Sequence, residues 1–450
     1  MSRRANVVVI GAGIAGVSVA YFLSVKHGIP GVLLVDPRPP LTLTSDKSTE
    51  CYRNWWPNQP MVGLMNRSID LLEHMAAESD NAFGLNRRGY LFLTAETERF
   101  QRMVEDAHHT STLGAGPVRF HPGPIPYRDS PSDGFHGAPE GTDILVGPET
   151  VRARFPFVSD RVAGAVHVRR AGWFSAQQLG VWMLDHARDS GLEVVVDEVT
   201  SIDTTGGHVG EVHLAGGEAV MADAVVDAAG PMASRIASMA GVDLPLFSEL
   251  HLKVAYRDHL GVVPRDAPLI IWSDPQRLEW TEEERQGLVE EGREDLLAEM
   301  PPHCHGRPEG GVASPYLLAL WEYHGRVDEP SWPLPDDPLY PEVVLRGLTT
   351  LVPGLSAYRE HLPASTVDGG YYTKTVENRP LIGPAGPDGF HLAAGYSGFG
   401  VMVAAGAGDL LARHVTGADL PEYSDAFLLS RYQDPGYLQS VESGTATGQI

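Results

Sequence analysis

Glycines at positions 11, 13 and 16, set between a β-branched run and a segment of helical pattern, are the first residues in this chain whose spacing could do chemistry. Residues 6–23 read NVVVIGAGIAGVSVAYFL. That order suits a strand, turn and helix cradling a pyrophosphate: Gly11 makes the tight turn, Gly13 lets the backbone approach the ligand, and Gly16 lets the helix pack on the strand. The helix start, with Ile14 and Ala15 in its first turn, offers free N–H groups and the positive end of the helix dipole to the phosphates. A second apolar run, GVLLV at 31–35, ends in Asp36, with Pro37 and Arg38 after it. An acid there accepts hydrogen bonds from a ribose hydroxyl and repels a 2′-phosphate. Together these features predict a dinucleotide site. The alternative is a glycine-rich strand-to-helix turn that holds nothing.

The elements that must position such a site do not alternate evenly. The second strand is followed by Pro37, Pro39, Pro40 and a Ser/Thr-rich loop, LTLTSDKSTECYRNWWP, over 41–57. Nucleotide-type patterning returns only later: a helix over 177–190, a strand over 192–196, and a further strand from Val199. The apolar strand ADAVVDAAGP then runs into Ala229 and Gly230. It returns last at GFHLAAGYSGFGVMVAAGAG, where a strand over 390–394 leads through Gly395, Gly398 and Phe399 to a helix from Gly400 and Val401. Three separated segments converging on one cofactor is a flavoprotein layout, not that of an NAD-dependent dehydrogenase.

On these residues the chain resembles the D-amino acid oxidase-like FAD superfamily, the group that contains glycine oxidase, monomeric sarcosine oxidase and dye-linked L-proline dehydrogenase. The resemblance spans nearly the whole chain: Gly11, Gly13, Gly16 and Asp36 for the ADP half, Ser45, Lys47, Ser48 and Thr49 in a loop crossing beneath the flavin, AGWFSAQQL at 171–179, Ala229–Gly230, and the closing TVENRPLIG and AAGYSGFG blocks. The proline dehydrogenase-like members are nearest, from GGYYTKTVENRPLIGP and SGFGVMVA. It implies an α/β fold with a Rossmann-like FAD-binding domain, discontinuous in sequence, and a second, mainly antiparallel β-sheet domain for substrate. The division is 1–84, 146–244 and 366–437 for FAD, 85–145 and 245–365 for substrate, and a loose tail at 438–450. The implied reaction oxidises a C–N bond of a small, often secondary, amine or amino acid by hydride transfer to flavin N5, giving an imine. Oxidation of 2-hydroxy acids on the same scaffold and a non-catalytic binding module are the alternatives.

Where the chain departs from its relatives, the departures carry information. Tyr372 stands where glycine oxidase-like members have an Arg, and Met402 where sarcosine oxidase-like members have a Lys. Both familiar carboxylate anchors are therefore absent. Arg53 is the cation placed to replace them, unless it is a surface group paired with Glu50. Tyr372 is a candidate for hydrogen bonding to substrate, or a core residue. Lys374 shares its strand face, because side chains alternate. Gly370 falls where a cysteine tethers FAD in sarcosine oxidase, implying non-covalent FAD. Leu318 falls where a lysine speeds oxygen reduction, which implies that oxygen is a poor acceptor and favours a quinone-like carrier over oxygen as the electron acceptor. Glu322 and Tyr323, at the end of an apolar strand, are runner-up pocket residues, although charged groups at such a place are more often solvated than catalytic.

Composition narrows the field further. With 34 Lys plus Arg against 58 Asp plus Glu, the 450-residue chain carries a net charge of −24, the wrong sign for a nucleic acid or an anionic membrane. Two cysteines, Cys51 and Cys304, cannot form a disulfide framework, which fits a reducing, cytoplasmic setting. The His303-Cys304-His305 run reads as a Pro-flanked loop too tight to supply three ligands to one metal. The apolar start is broken by glycines and lacks a cleavage site, so it reads as fold rather than signal or membrane span. A charged helical insertion, WTEEERQGLVEEGREDLLAEMPP, occupies 280–302.

Overall fold

The β-branched run at the amino terminus forms the strand Arg3–Ile10, paired in parallel with Val32–Asp36 on one side and Ala219–Asp227 on the other. This computed structural model describes residues 3–123, 127–131, 133–311, 313–325 and 327–444. The central strands read as near-continuous Val, Ile and Leu because both faces of a parallel sheet are covered. Glu193–Val196 extends the parallel set beyond Val32–Asp36, and Phe390–Ala394 joins the far half of Ala219–Asp227. Val199–Thr205, His208–Leu214 and Leu381–Pro384 add antiparallel edges, giving eight strands.

Helices Ile14–Tyr21, Gln59–Glu78, Ala176–Asp189 and Gly400–Thr416 bury one face of this sheet. The small residues of Gly400–Thr416 let its neighbours approach closely enough for backbone-directed hydrogen bonds. Ser18 Oγ donates to Ala404 O at 2.7 Å and Ser68 Oγ to Met402 O at 2.5 Å. Each fully buried Val, Leu or Ile in this layer contributes about 1.5–3 kcal/mol.

A second sheet of nine strands is mainly antiparallel, with parallel pairs only at Leu269–Trp272 against Tyr90–Thr94 and Val118–His121 against Thr142–Val146. Its longest antiparallel pair is Phe247–Arg257 with Ser365–Lys374, in register from Phe247 opposite Lys374 to Tyr256 opposite Ser365. Gly164–Val168 and Ser365–Lys374 both belong to this sheet. It therefore draws on residues that the sequence division assigned to the nucleotide part, since a short apolar strand does not declare which sheet it enters.

Two segments differ from their sequence reading. The stretch after His303 is not a loop: Cys304–Glu309 is a strand between Leu269–Trp272 and Tyr316–Leu320. The region after Tyr437 is not wholly loose, because Pro435–Glu442 is a helix capped by Asp434, and the Tyr437 hydroxyl donates to Glu377 at 2.8 Å. Residues 445–450 lie outside the described residues. The 280–302 insertion forms the helix Glu282–Glu290 with a capping box at Thr281, then a short turn at Glu294–Leu297. Among the described residues no helix is long and apolar enough to cross a membrane.

Candidate active site

The early and late glycine turns share one cleft of about 940 Å³, open at its mouth. Gly11, Gly13, Ile14, Ala15 and Asp36 line one end, Ser45 and Ser48 the flank, Ala229 and Gly230 the floor, and Gly395, Gly398, Gly400 and Val401 the far end. At the first turn, Asp36 accepts from the Ala12 and Arg38 backbone N–H groups, both at 2.8 Å. Its carboxylate is thus fixed at the strand end.

The glycines here have two different physical reasons. A Cβ on Gly16 would lie 1.8 Å from Gly11 O, so close helix-to-strand packing alone requires glycine there. Gly13 has an ordinary extended backbone (φ −71°, ψ 179°), and a Cβ on it would meet only Ser45 Oγ, at 3.2 Å. The fold places little demand for glycine at this position. A ligand approaching the backbone would.

Two polar groups point the same way. Thr44 Oγ1 and the Tyr396 hydroxyl are buried, line the cleft and have no hydrogen-bond partner among the described residues, an arrangement that is rare unless something else satisfies it. Beneath the floor, Asp227 is fully buried with one oxygen accepting from Ala229 N at 3.1 Å. Burial pushes its carboxyl well above the usual range, which favours the protonated form.

Other residues singled out by sequence lie off this cleft. Lys47 is paired with Asp46 at 2.5 Å and Asp368 at 3.0 Å. Arg38 stacks on Trp332, its Cζ 5.5 Å from the ring, with Pro37 beside it. Val199 is buried in an edge strand opposite Leu214. Gly16 is packed as described. Thr49 and Phe399 face a neighbouring cavity.

The loop between the two spaces is tied down by buried cations from the second sheet. Lys253 Nζ donates to Ser48 O at 2.9 Å, and Arg307 Nη2 to Thr49 O at 2.7 Å. Glu50 turns away from Arg53: it accepts from Ala176 N at 2.7 Å and lies 3.8 Å from Arg307. Leu318 lines neither space.

The neighbouring cavity, of about 950 Å³, meets the cleft at Tyr372, Ser397 and Gly398. Its floor is one face of the nine-stranded sheet, carrying Tyr90, Phe92, Leu269, Ile271, His305, Leu320, His251, Tyr372 and Lys374. Arg53 enters from the strand Cys51–Arg53. It is buried, with Cζ 4.9 Å and 5.7 Å from the Trp56 and Tyr90 ring centres, and its Nε donates to Trp55 O at 3.3 Å. No ion pair holds it among the described residues. An unpaired buried cation is costly and is usually complemented by an anion.

A charged chain runs along the same floor. Lys374 Nζ lies 2.6 Å from Glu249, His251 Nε2 3.3 Å from Glu249, and His251 Nδ1 3.4 Å from Glu322. The His251 ring stacks on Tyr372 with centroids 3.8 Å apart. Burial alone would lower the pKa of His251, but Glu249 and Glu322 outweigh it and hold it above the ordinary value. Burial would raise Glu322, yet His251, with His305 and Lys374 nearby, lowers it to about 2. Burial pushes the Tyr372 phenol up, so it remains a donor.

Glu322 lies just beyond the strand end with its side chain 52% exposed, solvated as the sequence suggests, and it also lines the cavity. Tyr323 does pack elsewhere, against Tyr340 and Asp337. His251, His303 and His305 were missed. Their signal, visible only in hindsight, is the placement of polar residues at alternate positions in otherwise apolar strands.

Comparisons with known proteins follow this geometry. Residues 6–414 match the family described as FAD dependent oxidoreductase, DAO. The structure is similar to L-proline dehydrogenase from P. horikoshii, with 20% identity, TM-score 0.74, and 96% of this chain and 99% of that one covered. It is similar to glycine oxidase from Geobacillus kaustophilus, with 18% identity, TM-score 0.71 and coverage of 96% and 99%. It is also similar to L-amino acid deaminase from Proteus vulgaris, with 15% identity, TM-score 0.70 and coverage of 96% and 98%. No curated protein sequence matches the chain significantly. The mixed α/β architecture is that of these structures, and the match over nearly the whole length shows that the chain belongs to the DAO family of FAD dependent oxidoreductases.

Proposed function

We propose that this protein oxidises the C–N bond of a small amino acid or secondary amine bearing a carboxylate, with FAD held non-covalently in the glycine-lined cleft. The observation that carries this reading is Arg53, a buried guanidinium with no ion pair among the described residues, on the wall of a cavity that joins the cleft. A bidentate carboxylate is the ligand best matched to it.

The residues at hand fit FAD. Gly13 leaves room for a pyrophosphate at the start of Ile14–Tyr21, Asp36 suits a ribose, and the unpartnered Thr44 Oγ1 and Tyr396 hydroxyl await a polar ligand. Ala229 and Gly230 would line its middle. The first N–H groups of Gly400–Thr416, beside Gly398, suit the negative charge of a reduced ring system. With no cysteine at Gly370, a thioether tether has no donor there. Bound FAD supplies the acceptor for two electrons and a hydrogen.

The chain's own groups do the rest. Arg53 fixes the carboxylate, Tyr372 walls the junction of the two spaces, and Lys374 holds Glu249 against His251. Water then hydrolyses the released imine. The electron acceptor that restores the flavin is oxygen or a quinone-like carrier. Domain roles follow the two sheets: the parallel one for FAD, the nine-stranded one for substrate.

Anaerobic mixing of the FAD-loaded protein with a panel of amino acids, N-alkyl amino acids and 2-hydroxy acids tests this. Bleaching of the flavin by carboxylate-bearing amines, with an imine-derived carbonyl product, is expected. Bleaching by hydroxy acids alone would overturn it.

A further inference from the structure

We propose that His305 is the proton acceptor for the substrate's amine, an inference that rests on the amine-oxidising reading above. It sits in Cys304–Glu309 between Ile271 and Leu320, and all three side chains line the cavity. Its Nδ1 lies 2.7 Å from His303 O. A carbonyl can only accept, so Nδ1 carries the hydrogen and Nε2 of the neutral ring carries the lone pair. No described side chain takes Nε2, and the ring faces the space where substrate would lie.

The other titratable groups of the cavity are unsuited. His251 has both ring nitrogens turned to the carboxylates of Glu249 and Glu322. Glu322 faces that ring, and its lowered pKa makes it a feeble base. Arg53 and Lys374 are cations and Tyr372 is a donor. His303 is held to about 4, mainly by burial.

Three charged or titratable groups face His305: His303 just before its strand, Glu322 just beyond the neighbouring strand, and Arg53 from Cys51–Arg53. Burial is the largest influence and, with Arg53, outweighs Glu322 and the His303 carbonyl, keeping the ring neutral at pH 7.

The step balances simply. An ammonium N–H bond breaks, its electron pair stays on nitrogen, and the proton moves to Nε2, making an imidazolium. The freed lone pair becomes the second bond of the imine as the substrate's C–H hydrogen leaves with two electrons for the bound flavin. The imidazolium then returns its proton to water.

The test uses FAD-loaded protein, anaerobic stopped-flow flavin reduction, and His305→Gln. At pH 7 the variant's reduction rate falls by about 10²–10⁴-fold. The deficit shrinks about tenfold per pH unit toward the amine's own pKa, as the fraction of free amine rises. Added imidazole restores part of the rate. Binding of a simple carboxylate, read from the flavin spectrum, is unchanged. Should the variant not fold, wild type still decides: the acid limb of the rate over dissociation constant stays put for two amino acids of different amine basicity. Equal rates and limbs in wild type and variant, or a limb that follows the substrate's amine, would overturn the proposal while leaving amine oxidation intact. Wild type that no amine bleaches at any pH would instead overturn the parent reading.

Discussion

Replacing Arg53 by Met separates a binding role from a structural one, because the two predict opposite changes in stability. Holding an ion in a protein interior costs several kcal/mol after relaxation. Against that cost stand two aromatic faces, at 4.9 and 5.7 Å, worth about 1–2 kcal/mol together. One hydrogen bond at 3.3 Å to Trp55 O adds about 1 kcal/mol. The balance makes the free guanidinium neutral or unfavourable for folding. Arg53→Met, which keeps an apolar stem of similar reach, should leave the unfolding free energy unchanged or raise it by about 1–2 kcal/mol. A carboxylate ligand, by contrast, loses about 2–5 kcal/mol when its buried partner is removed, roughly 30- to 4,000-fold in Kd. Denaturant unfolding of the FAD-loaded protein gives the first number, and carboxylate titration read from the flavin spectrum gives the second. A variant destabilised by more than about 2 kcal/mol that binds carboxylate as wild type does would refute the reasoning.

Gly13→Ala should fold normally, because only Ser45 Oγ borders the new methyl, yet hold FAD roughly 5- to 150-fold more weakly through overpacking of about 1–3 kcal/mol; fluorescence titration of the apoprotein measures it. Glu377→Ala removes the buried acceptor of Arg431, Tyr432 and Tyr437 and should cost about 3–5 kcal/mol in chemical unfolding. Burial would raise the Glu377 pKa, but Arg431 and Tyr432 lower it. Its contribution is therefore complete above the unfolded value of about 4.3 and is lost as pH falls through the lower folded value, so the gap between wild type and variant narrows as the pH falls below the unfolded value. Asp227→Asn should be tolerated. Since burial raises the folded pKa of Asp227, wild type loses this carboxyl's favourable contribution as pH rises above the unfolded value of about 3.9. The variant's relative stability, followed by unfolding at several pH values, should climb from pH 4 toward neutrality; a flat difference would contradict a protonated Asp227.

The residues most legible in the sequence were those whose role belongs to the backbone. Gly11, Gly16 and Asp36 follow from a turn that must be tight, a helix that must pack closely and a strand that must end, all set by neighbours a few positions away. The second cavity was far less legible. Arg53, His251 and His305 come from three strands and Glu322 from the segment just after a fourth, and their meeting depends on sheet register, which is not a local property. Competition for partners misled the rest. Lys47 reads as part of the loop beneath the flavin until Asp46 and Asp368 take it. Glu50 looks like the partner of Arg53 until Ala176 N and Arg307 claim it. The His303–His305 stretch reads as loop because Pro and Gly surround it, yet Trp272 and Leu320 on either side hold it as a strand.

The most direct test of the account is a crystal structure of the FAD-loaded protein soaked with an amino-acid carboxylate that lacks an α-hydrogen. The account predicts the pyrophosphate at the amino end of Ile14–Tyr21, the ring system beside Gly398 and Tyr372, and the carboxylate on Arg53 with its amine toward His305. A carboxylate bound away from Arg53, or FAD lying outside the cleft that the two glycine turns share, would contradict it.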